Sequence, residues 1–338
     1  MYHDKKLVLV IPAYNEASSI GQVLDAVPSY VDRVVVVDDG SQDDTGAIAV
    51  GHGAGLIKHG QNRGVGAALR TGISEALRLG ADVMVNMDGD GQFDAGDIPK
   101  LVDPILSGEA DFVTASRFMD RSLRPRMSRI KFFGNRFMSF FISRVTGQRL
   151  RDVSCGFRAY SKDTLLRLNL FGDFTYTQET FIDLTFKGLV IKEVPLKVAG
   201  KRKHGRSRVA SNLFRYGYNT FKVIFRAYRD YKPLKLFFLF FLLFCFLGLI
   251  TGGFLLLHYF SRGMFSPHKW AGFVSGFFFI LALLMFLIGI ILDMFARMRL
   301  NQEEMLYLLR QQRYFKGETK HPPAGPGPSR SASGSGPS

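Results

Sequence analysis

The sequence has little of what covalent cross-links and the commonest nucleotide-binding motifs require. Only two of its 338 residues are cysteines, Cys155 near a polar loop and Cys245 in an apolar run, so we expect no disulfide. No Gly-x-x-x-x-Gly-Lys-Ser/Thr segment occurs, which excludes a P-loop. The stretch 63–69 contains Gly-x-Gly without the third glycine that a dinucleotide-binding fold requires. The apolar run at residues 7–11 is too short for a signal peptide.

Acidic and basic residues are unevenly distributed, although the formal net charge is +15. Residues 1–120 hold 9 Lys and Arg against 18 Asp and Glu, whereas residues 121–234 hold 25 against 7. A uniformly basic chain would indicate nucleic acid. A basic block directly before an apolar segment instead indicates an anionic membrane surface or a phosphate-bearing substrate. We therefore expect no nucleic-acid partner.

Apolar runs alternate with helical patterns over the first 120 residues, which predicts an α/β fold with a mostly parallel sheet flanked by helices. Ligands of such sheets bind at the carboxyl ends of the strands. Two acidic clusters stand at such ends, Asp38-Asp39 and Asp88-Gly89-Asp90. The predicted strands begin near residues 7, 33, 56, 83, 111 and 190.

The stretch 83–93 is central to the functional prediction, because it begins as a buried strand and ends in two aspartates and a glutamine. Residues two apart in an extended chain point the same way, so Asp88, Asp90 and Gln92 would present three oxygen ligands to one side. Hard oxygen ligands suit Mg²⁺ or Mn²⁺ better than zinc. The intervening glycines leave room for a large anion. This pattern predicts a divalent metal that holds a diphosphate. The alternative is a strand that ends in an acidic turn.

Two uncharged apolar runs, 236–260 and 271–292, are each long enough to cross the ~30 Å hydrocarbon core of a bilayer. The loop between them carries only Arg262 and Lys269, and the outer flanks are richer in Lys and Arg. The positive-inside rule therefore predicts that the large domain and both termini are cytoplasmic. Beyond the second span we expect a cytoplasmic helix at 297–315 and a disordered tail at 321–338.

Two further segments combine aromatic and basic residues, which is typical of helices that lie in a membrane interface. One lies near 127–147 and the other at 209–232. Between them, residues 201–208 hold five Lys and Arg and one His. Such a cluster repels itself unless anions such as phosphates neutralise it.

Together these motifs resemble a known family. Residues 5–232 look like a family 2 glycosyltransferase of the polyprenyl-phosphate type, similar to dolichol-phosphate mannose synthases and bacterial polyprenyl-phosphate glucosyltransferases. The motifs that carry the resemblance are Pro12-Ala13-Tyr14-Asn15-Glu16, Asp38-Asp39-Gly40-Ser41, Asn62-Arg63-Gly64-Val65-Gly66, Asp88-Gly89-Asp90-Gly91-Gln92, Ser116-Arg117, Gly156-Phe157-Arg158, Arg202 and Arg208.

The resemblance implies a GT-A catalytic domain over residues 1–208 and a role for each matching residue. Asp88, Asp90 and Arg117 would be catalytic, and Asp88, Asp90 and Gln92 would hold Mg²⁺ or Mn²⁺. The nucleotide-sugar donor would contact Pro12, Tyr14, Glu16, Val37, Asp39, Asp88, Gly89, Asp90, Gln92, Arg202 and Arg208. The acceptor phosphate would contact Arg117, Arg129, Lys131, Arg136, Arg202 and Arg208.

The implied reaction transfers one sugar, with inversion, to a polyprenyl or dolichyl phosphate at the cytoplasmic face of a membrane, most simply a prokaryotic plasma membrane. A phosphate monoester has a second pKa of about 6, so it attacks the sugar without a strong general base. The sequence leaves open whether the donor is GDP-mannose, UDP-glucose or UDP-N-acetylglucosamine. The length of the lipid, a homo-oligomeric state and the roles of Asp152, Glu179 and His204 are also open.

Three rival functions remain to be weighed. A processive polysaccharide synthase would carry Gln-x-x-Arg-Trp near the membrane, but the only tryptophan, Trp270, lies between the two spans. A glycolipid synthase acting on a lipid hydroxyl would need a carboxylate base, for which Asp152 and Glu179 are the candidates. A membrane scaffold could bind sugar nucleotides without turnover, although Asp88, Asp90, Gln92 and Arg117 are all present.

Overall fold

The computed structural model describes residues 1–125, 127, 129–170, 176–199, 225 and 229–315. Its centre is a seven-stranded sheet in the order β3-β2-β1-β4-β6-β5-β7. Within it only β6 runs antiparallel to its neighbours, β4 and β5, so the prediction of a mostly parallel sheet is confirmed. The strands are β1 (Leu7–Ala13), β2 (Arg33–Asp38), β3 (Gly55–Lys58), β4 (Val83–Asn86), β5 (Phe112–Ser116), β6 (Arg158–Ser161) and β7 (Ile191–Pro195).

Helices cover both faces of the sheet, and alternate residues of each strand supply two separate hydrophobic cores. In β1, Val8 and Val10 belong to one core, whereas Leu7 and Leu9 belong to the other. The helices are α1 (Ile20–Asp25), α2 (Thr45–Gly51), α3 (Val65–Arg78), α4 (Ile98–Leu106), α5 (Arg129–Thr146), α6 (Lys162–Arg167), α7 (Tyr176–Phe186), α8 (Pro233–Arg262) and α9 (Lys269–Tyr314).

The strand that leads to the acidic motif is shorter than predicted. β4 ends at Asn86, and the chain turns at Gly91, whose φ is +71°. Within this turn the carboxylate of Asp90 accepts a hydrogen bond of 3.1 Å from the backbone N–H of Gln92. Aspartate and glycine favour such turns over a continued strand. The expectation of an extended chain through Gln92 was therefore wrong, and the turn, not strand alternation, positions the acidic side chains.

α8 and α9 are long and apolar enough to cross a membrane. They form an antiparallel hairpin, in which the hydroxyl of Ser275 donates a hydrogen bond of 2.8 Å to the carbonyl of Gly248. The sequence predicted a break between residues 292 and 297, but α9 is continuous over 46 residues. No glycine or proline lies between 290 and 300 to end the helix, and Asp293 pairs with Arg297 one turn later.

The carboxyl-terminal end of α9 packs on the sheet domain. The Nη1 of Arg310 donates hydrogen bonds of 2.9 and 3.0 Å to the carbonyls of Leu166 and Leu168 at the end of α6. Tyr307 is buried beneath the guanidinium of Arg167, which lies 4.2 Å from the ring centroid. These contacts fix the second apolar helix to the domain. The predicted basic loop at 201–208, most of the predicted helix at 209–232 and the tail at 321–338 lie outside the described residues.

Candidate functional site

The loops that follow β1 and β2 are tied together at the carboxyl edge of the sheet. The backbone N–H of Asn15 donates to the hydroxyl of Ser41 at 3.0 Å, and the side-chain oxygen of Asn15 accepts from the N–H of Gln42 at 2.8 Å. The N–H of Glu16 donates to the hydroxyl of Thr45 at 2.9 Å. Short polar side chains thus satisfy the backbone of both loops and leave them preorganised.

The residues predicted to line a nucleoside pocket are placed around these loops. Pro12 and Val37 are adjacent in register on β1 and β2, and both are buried. Tyr14 and Glu16 follow in the first loop and are partly exposed. The hydroxyl of Ser19 donates a hydrogen bond of 2.9 Å to the carbonyl of Gly89, which joins this loop to the acidic turn. The structure therefore brings the two predicted acidic clusters to one edge.

Asp39 holds a third loop, and it does so through a buried network that includes His59. The carboxylate of Asp39 accepts hydrogen bonds from the backbone N–H groups of Arg63 at 3.0 Å and Gly64 at 2.7 Å. The same carboxylate lies 2.7 Å from Nδ1 of His59, whose Nε2 lies 3.0 Å from the hydroxyl of Thr71. The sequence analysis assigned no functional role to His59. The signal in the sequence that could have indicated this role of His59 was its position as a polar residue directly after a short predicted strand.

Asp88 and Asp90 follow β4, the fourth of the parallel strands along the chain. Asp90 is buried, whereas Asp88 is partly exposed. The Asp88 carboxylate lies against the backbone of Gly156, where an added Cβ would stand 2.7 Å from its Oδ2. Only glycine leaves room for the carboxylate at this position. Burial by itself would lower the pKa of Arg117, but the hydrogen bonds and charge of Asp152 outweigh it and raise that pKa, and the charge of Asp88 makes a smaller contribution. Burial raises the pKa of Tyr176, and the charge of Asp88 raises it further.

The donor set around this turn fits one kind of metal site. Among the described residues no three His, Cys, Asp or Glu side chains are gathered at one point. Two carboxylates without a closed protein cage match Mg²⁺ or Mn²⁺, which commonly bind one or two carboxylates together with substrate phosphates. In this structure the amide of predicted ligand Gln92 donates a hydrogen bond of 2.8 Å to the carbonyl of Ala199. This bond joins the acidic turn to the segment after β7.

Arg117, at the end of β5, forms a buried ion pair with Asp152. Its Nε and Nη2 lie 2.7 and 2.9 Å from the two carboxylate oxygens, and Nη2 also donates to Ser154 at 2.6 Å. Burial by itself would raise the pKa of Asp152, but the hydrogen bonds and charge of Arg117 outweigh it and hold that pKa below its usual range. Asp152 is therefore a poor general base.

This ion pair is connected to the aromatic helix α5. The hydroxyl of Ser154 donates a hydrogen bond of 2.6 Å to the side-chain oxygen of Asn135. On the same helix Phe133, Phe137 and Phe140 are 65%, 50% and 62% exposed, and Arg136 is exposed beside them. An exposed row of phenylalanines is typical of a surface that meets a membrane interface. Arg129 and Lys131 also belong to α5, but their side chains lie outside the described part of the structure.

Arg158 is a central residue to which the sequence assigned no role of its own. It is fully buried on β6, where its Nε donates to the carbonyl of Cys155 at 2.7 Å and its Nη2 to the carbonyl of Thr177 at 3.1 Å. Its guanidinium also lies 5.1 Å from the ring centroid of Phe181. It therefore joins the loop beside Asp88 to the start of α7, which carries Glu179. No local pattern distinguishes such a buried arginine from a surface one.

Comparison with known proteins agrees with this architecture. The sequence profile of Glycosyl transferase family 2 matches residues 8–168. The UDP-N-acetylglucosamine–dolichyl-phosphate N-acetylglucosaminyltransferase of Methanococcus voltae is 35% identical over 180 residues, which cover 48% of this chain and 72% of that protein. The undecaprenyl-phosphate mannosyltransferase of Micrococcus luteus is 30% identical over 226 residues, which cover 62% of this chain and 89% of that protein.

A solved structure shows the same fold with ligands bound. Glucosyl-3-phosphoglycerate synthase from Mycobacterium tuberculosis, in complex with Mn²⁺, UDP-glucose and phosphoglyceric acid, superposes with a TM-score of 0.52 and 26% identity. The match covers 67% of this chain and 79% of that chain. The predicted fold class and the predicted family are therefore confirmed. By its motifs, its sheet and its relatives, this chain is a glycosyltransferase that belongs to family 2.

Proposed function

We propose that this glycosyltransferase moves a single sugar from a nucleotide-sugar to a polyprenyl phosphate at the cytoplasmic face of a membrane. The observation that carries the proposal is that two oppositely charged groups share one loop: the Asp88 carboxylate packs against Gly156, and Arg117 is held by Asp152 and Ser154. One suits a metal-bound diphosphate, and the other suits a second phosphate. The relatives named for dolichyl-phosphate and undecaprenyl-phosphate acceptors support the same substrate class.

The donor side comprises the loops after β1, β2 and β4. Pro12, Val37 and the backbone around Asp39 provide a rigid surface for the nucleoside. Asp88 and Asp90 would hold Mg²⁺ or Mn²⁺, which supplies charge stabilisation to the departing nucleoside diphosphate when bound. A solved relative that holds Mn²⁺ and UDP-glucose together supports this assignment. Gln92, Arg202 and Arg208 remain predicted donor contacts.

The acceptor side comprises Arg117, Asp152, Ser154 and α5. Nε and Nη2 of Arg117 bond Asp152 and Ser154. Among the described residues Nη1 has no hydrogen-bond partner, so it is the nitrogen that would meet a phosphate oxygen. An anionic phosphate oxygen attacks the anomeric carbon directly, so inversion follows and no proton need be removed. The buried, hydrogen-bonded state of Asp152 also weighs against a hydroxyl acceptor that requires Asp152 as its base.

The membrane position follows from the same arrangement. The exposed phenylalanines of α5 would lie in the interface, and α8 and α9 would cross the bilayer. The excess of Lys and Arg outside the two apolar runs, 236–260 and 271–292, supports a cytoplasmic domain under the positive-inside rule. A lipid phosphate held at the interface would then reach Arg117 through the side of the domain that carries α5.

Release of nucleoside diphosphate by the full chain in detergent, with Mg²⁺ or Mn²⁺ and a short polyprenyl phosphate, tests the proposal. A panel of GDP- and UDP-sugars serves as donors. We expect release from one donor that requires both the metal and the lipid phosphate, with an inverted anomeric centre in the product. Release that requires a hydroxyl lipid instead would identify a glycolipid synthase. Nucleotide binding without any release would identify a scaffold.

A further inference from the structure

α9 has two opposite faces, of which only one packs against other residues that the structure describes. At its membrane end Ser275, Ala282 and Gly289 are buried and recur every seven residues on the side that faces α8. Near its other end Tyr307 and Arg310 pack on the sheet domain. At 100° per residue these positions share one side of the helix along its whole length.

The opposite face carries an exposed stripe with a strict spacing of three and four residues, which we call the α9 seam. Its part beyond the apolar span comprises Met294, Met298, Asn301, Met305, Leu308 and Gln312, all of them exposed among the described residues. The same spacing continues back through the span to Phe273. A three-four repeat sustained over this length is the sequence pattern of a coiled coil.

Lipid can cover the seam only inside the bilayer. At 1.5 Å per residue the 46 residues of α9 extend about 69 Å, more than twice the ~30 Å of a hydrocarbon core. The end that packs on the sheet domain must therefore stand in water. There Met294 and Met305 remain 62% and 60% exposed, and Leu308 remains 52% exposed. Apolar residues in a regular row in water indicate an interaction surface.

We infer that the α9 seam joins two copies of this chain in a parallel helix pair, an assembly that goes beyond the proposed function. Two copies inserted in one membrane with the same orientation have parallel α9 helices. The two-fold axis then sets each Asn301 opposite the Asn301 of the second copy, where each amide satisfies the other. A partner with an apolar residue at that level would leave Asn301 unsatisfied.

Charge and area agree with this occupant. The seam itself carries no charged residue, and the charges beside it are paired within the chain, Arg297 with Asp293 at 2.9 Å and Glu304 with Arg167 at 3.7 Å. The seam holds ten large apolar residues between Phe273 and Leu308. At roughly 60–120 Å² of apolar surface each, they bury roughly 600–1,200 Å² per copy, a range that includes the ~800 Å² per partner of a stable interface. Residues 316–338 contain no Val, Leu, Ile, Met or Phe with which to cover it.

Disulfide cross-linking of the full chain in native membranes tests this inference. With Cys245 replaced by serine, Asn301→Cys places a thiol in the seam, whereas the matched control Leu300→Cys places one on an exposed neighbour off the seam. We expect oxidation to convert most of the Asn301→Cys chain, but little of the Leu300→Cys chain, to a product of twice the 37.9 kDa chain mass. Equal cross-linking of both variants, none of either, or a product of another mass would overturn the inference.

A second measurement does not depend on thiol chemistry. Native mass spectrometry of the full chain in nanodiscs should find two copies for the natural sequence and for Leu300→Glu, but one copy for the double variant Met305→Glu/Leu308→Glu. Thermal unfolding checks that the double variant remains folded. A natural chain that is monomeric, or a double variant that stays dimeric, would overturn the inference. Neither measurement depends on turnover, so their outcome is separate from that of the proposed function.

Discussion

The two sides of the site that we propose for the donor and for the acceptor are built by different physical means. On the donor side, short side chains such as Ser41, Thr45 and Asp39 accept hydrogen bonds from backbone N–H groups and fix three loops. On the acceptor side, one buried ion pair, Arg117–Asp152, joins β5 to the aromatic helix. The proposed donor side is held together by many weak contacts, whereas the proposed acceptor side depends on a single strong contact. The two sides should therefore respond differently to substitution.

The largest effect is expected at the acidic turn that serves the donor. Asp90→Asn removes one of two carboxylates that would face a metal and diphosphate, so nucleoside diphosphate release should fall by about 10³-fold. Thermal unfolding should change little, because the side chain keeps its size. The matched control Asp94→Asn, an exposed aspartate four residues later, should retain activity. Equal losses in both variants would contradict a specific role for the turn.

Breaking the ion pair should affect stability more than binding. Asp152→Asn leaves Arg117 buried without its counter-charge and should lower the free energy of unfolding by about 3–5 kcal/mol at neutral pH. Because the folded pKa of Asp152 lies below its ordinary value of 3.8, the stability it contributes is present above that pH and is lost as the pH falls through the folded value. Denaturant unfolding across the pH range should show the two proteins converging in acid.

Removal of both charged partners provides the control for this prediction. Asp152→Leu combined with Arg117→Met should be less destabilised than Asp152→Asn alone, since no uncompensated charge stays buried. A double variant at least as unstable as the single one would show that packing, and not charge, dominates at this position.

A smaller and more selective effect is expected from Asp39. Asp39→Asn replaces one of the two acceptor oxygens by an NH2 group, so a hydrogen bond from the backbone N–H of Arg63 or Gly64 is lost. This should destabilise the ordered conformation of the loop by about 1–3 kcal/mol. The KM for the nucleotide-sugar should rise about tenfold, while kcat falls less, because the loop binds rather than reacts. Steady-state kinetics with the exposed Asp44→Asn as control separates the two constants. A loss confined to kcat would contradict this role.

The smallest effect is expected where the acceptor side meets the membrane. Replacement of Phe133, Phe137 and Phe140 by serine should lower turnover a few-fold with polyprenyl phosphate embedded in vesicles. Turnover with a short, water-soluble acceptor should be unchanged, because the ion pair behind α5 is intact. Comparison of the two acceptors within one variant supplies its own control. An equal loss with both would show that the phenylalanines support the fold.

The placement of the two acidic clusters was largely predictable from sequence, because their motifs are local. Asp38-Asp39 and Asp88–Asp90 each follow directly on an apolar strand, so their meeting at one sheet edge follows from parallel strand order. The acidic turn was not predicted, because the sequence analysis assumed that the chain stays extended past Gly89 and Gly91. In the structure β4 ends at Asn86 and the chain turns at Gly91. The contacts of Asp152, Arg158 and His59 could not be predicted from the sequence either. Asp152 pairs with Arg117 across 35 residues and His59 with Asp39 across 20, and sequence spacing carries no information on such pairs.

The attachment of α9 to the sheet domain has a consequence for how the enzyme finds its acceptor. Arg310 and Tyr307 join a continuous helix to α6, so movement of the domain away from α9 would break these contacts. With α9 inserted in a bilayer, they would hold the carboxyl edge of the sheet near the membrane surface. A lipid acceptor would reach this edge by lateral diffusion in the plane of the membrane, whereas a soluble donor would reach it by diffusion through the solution. Encounter frequency would therefore scale with the surface density of the lipid, not with its bulk concentration.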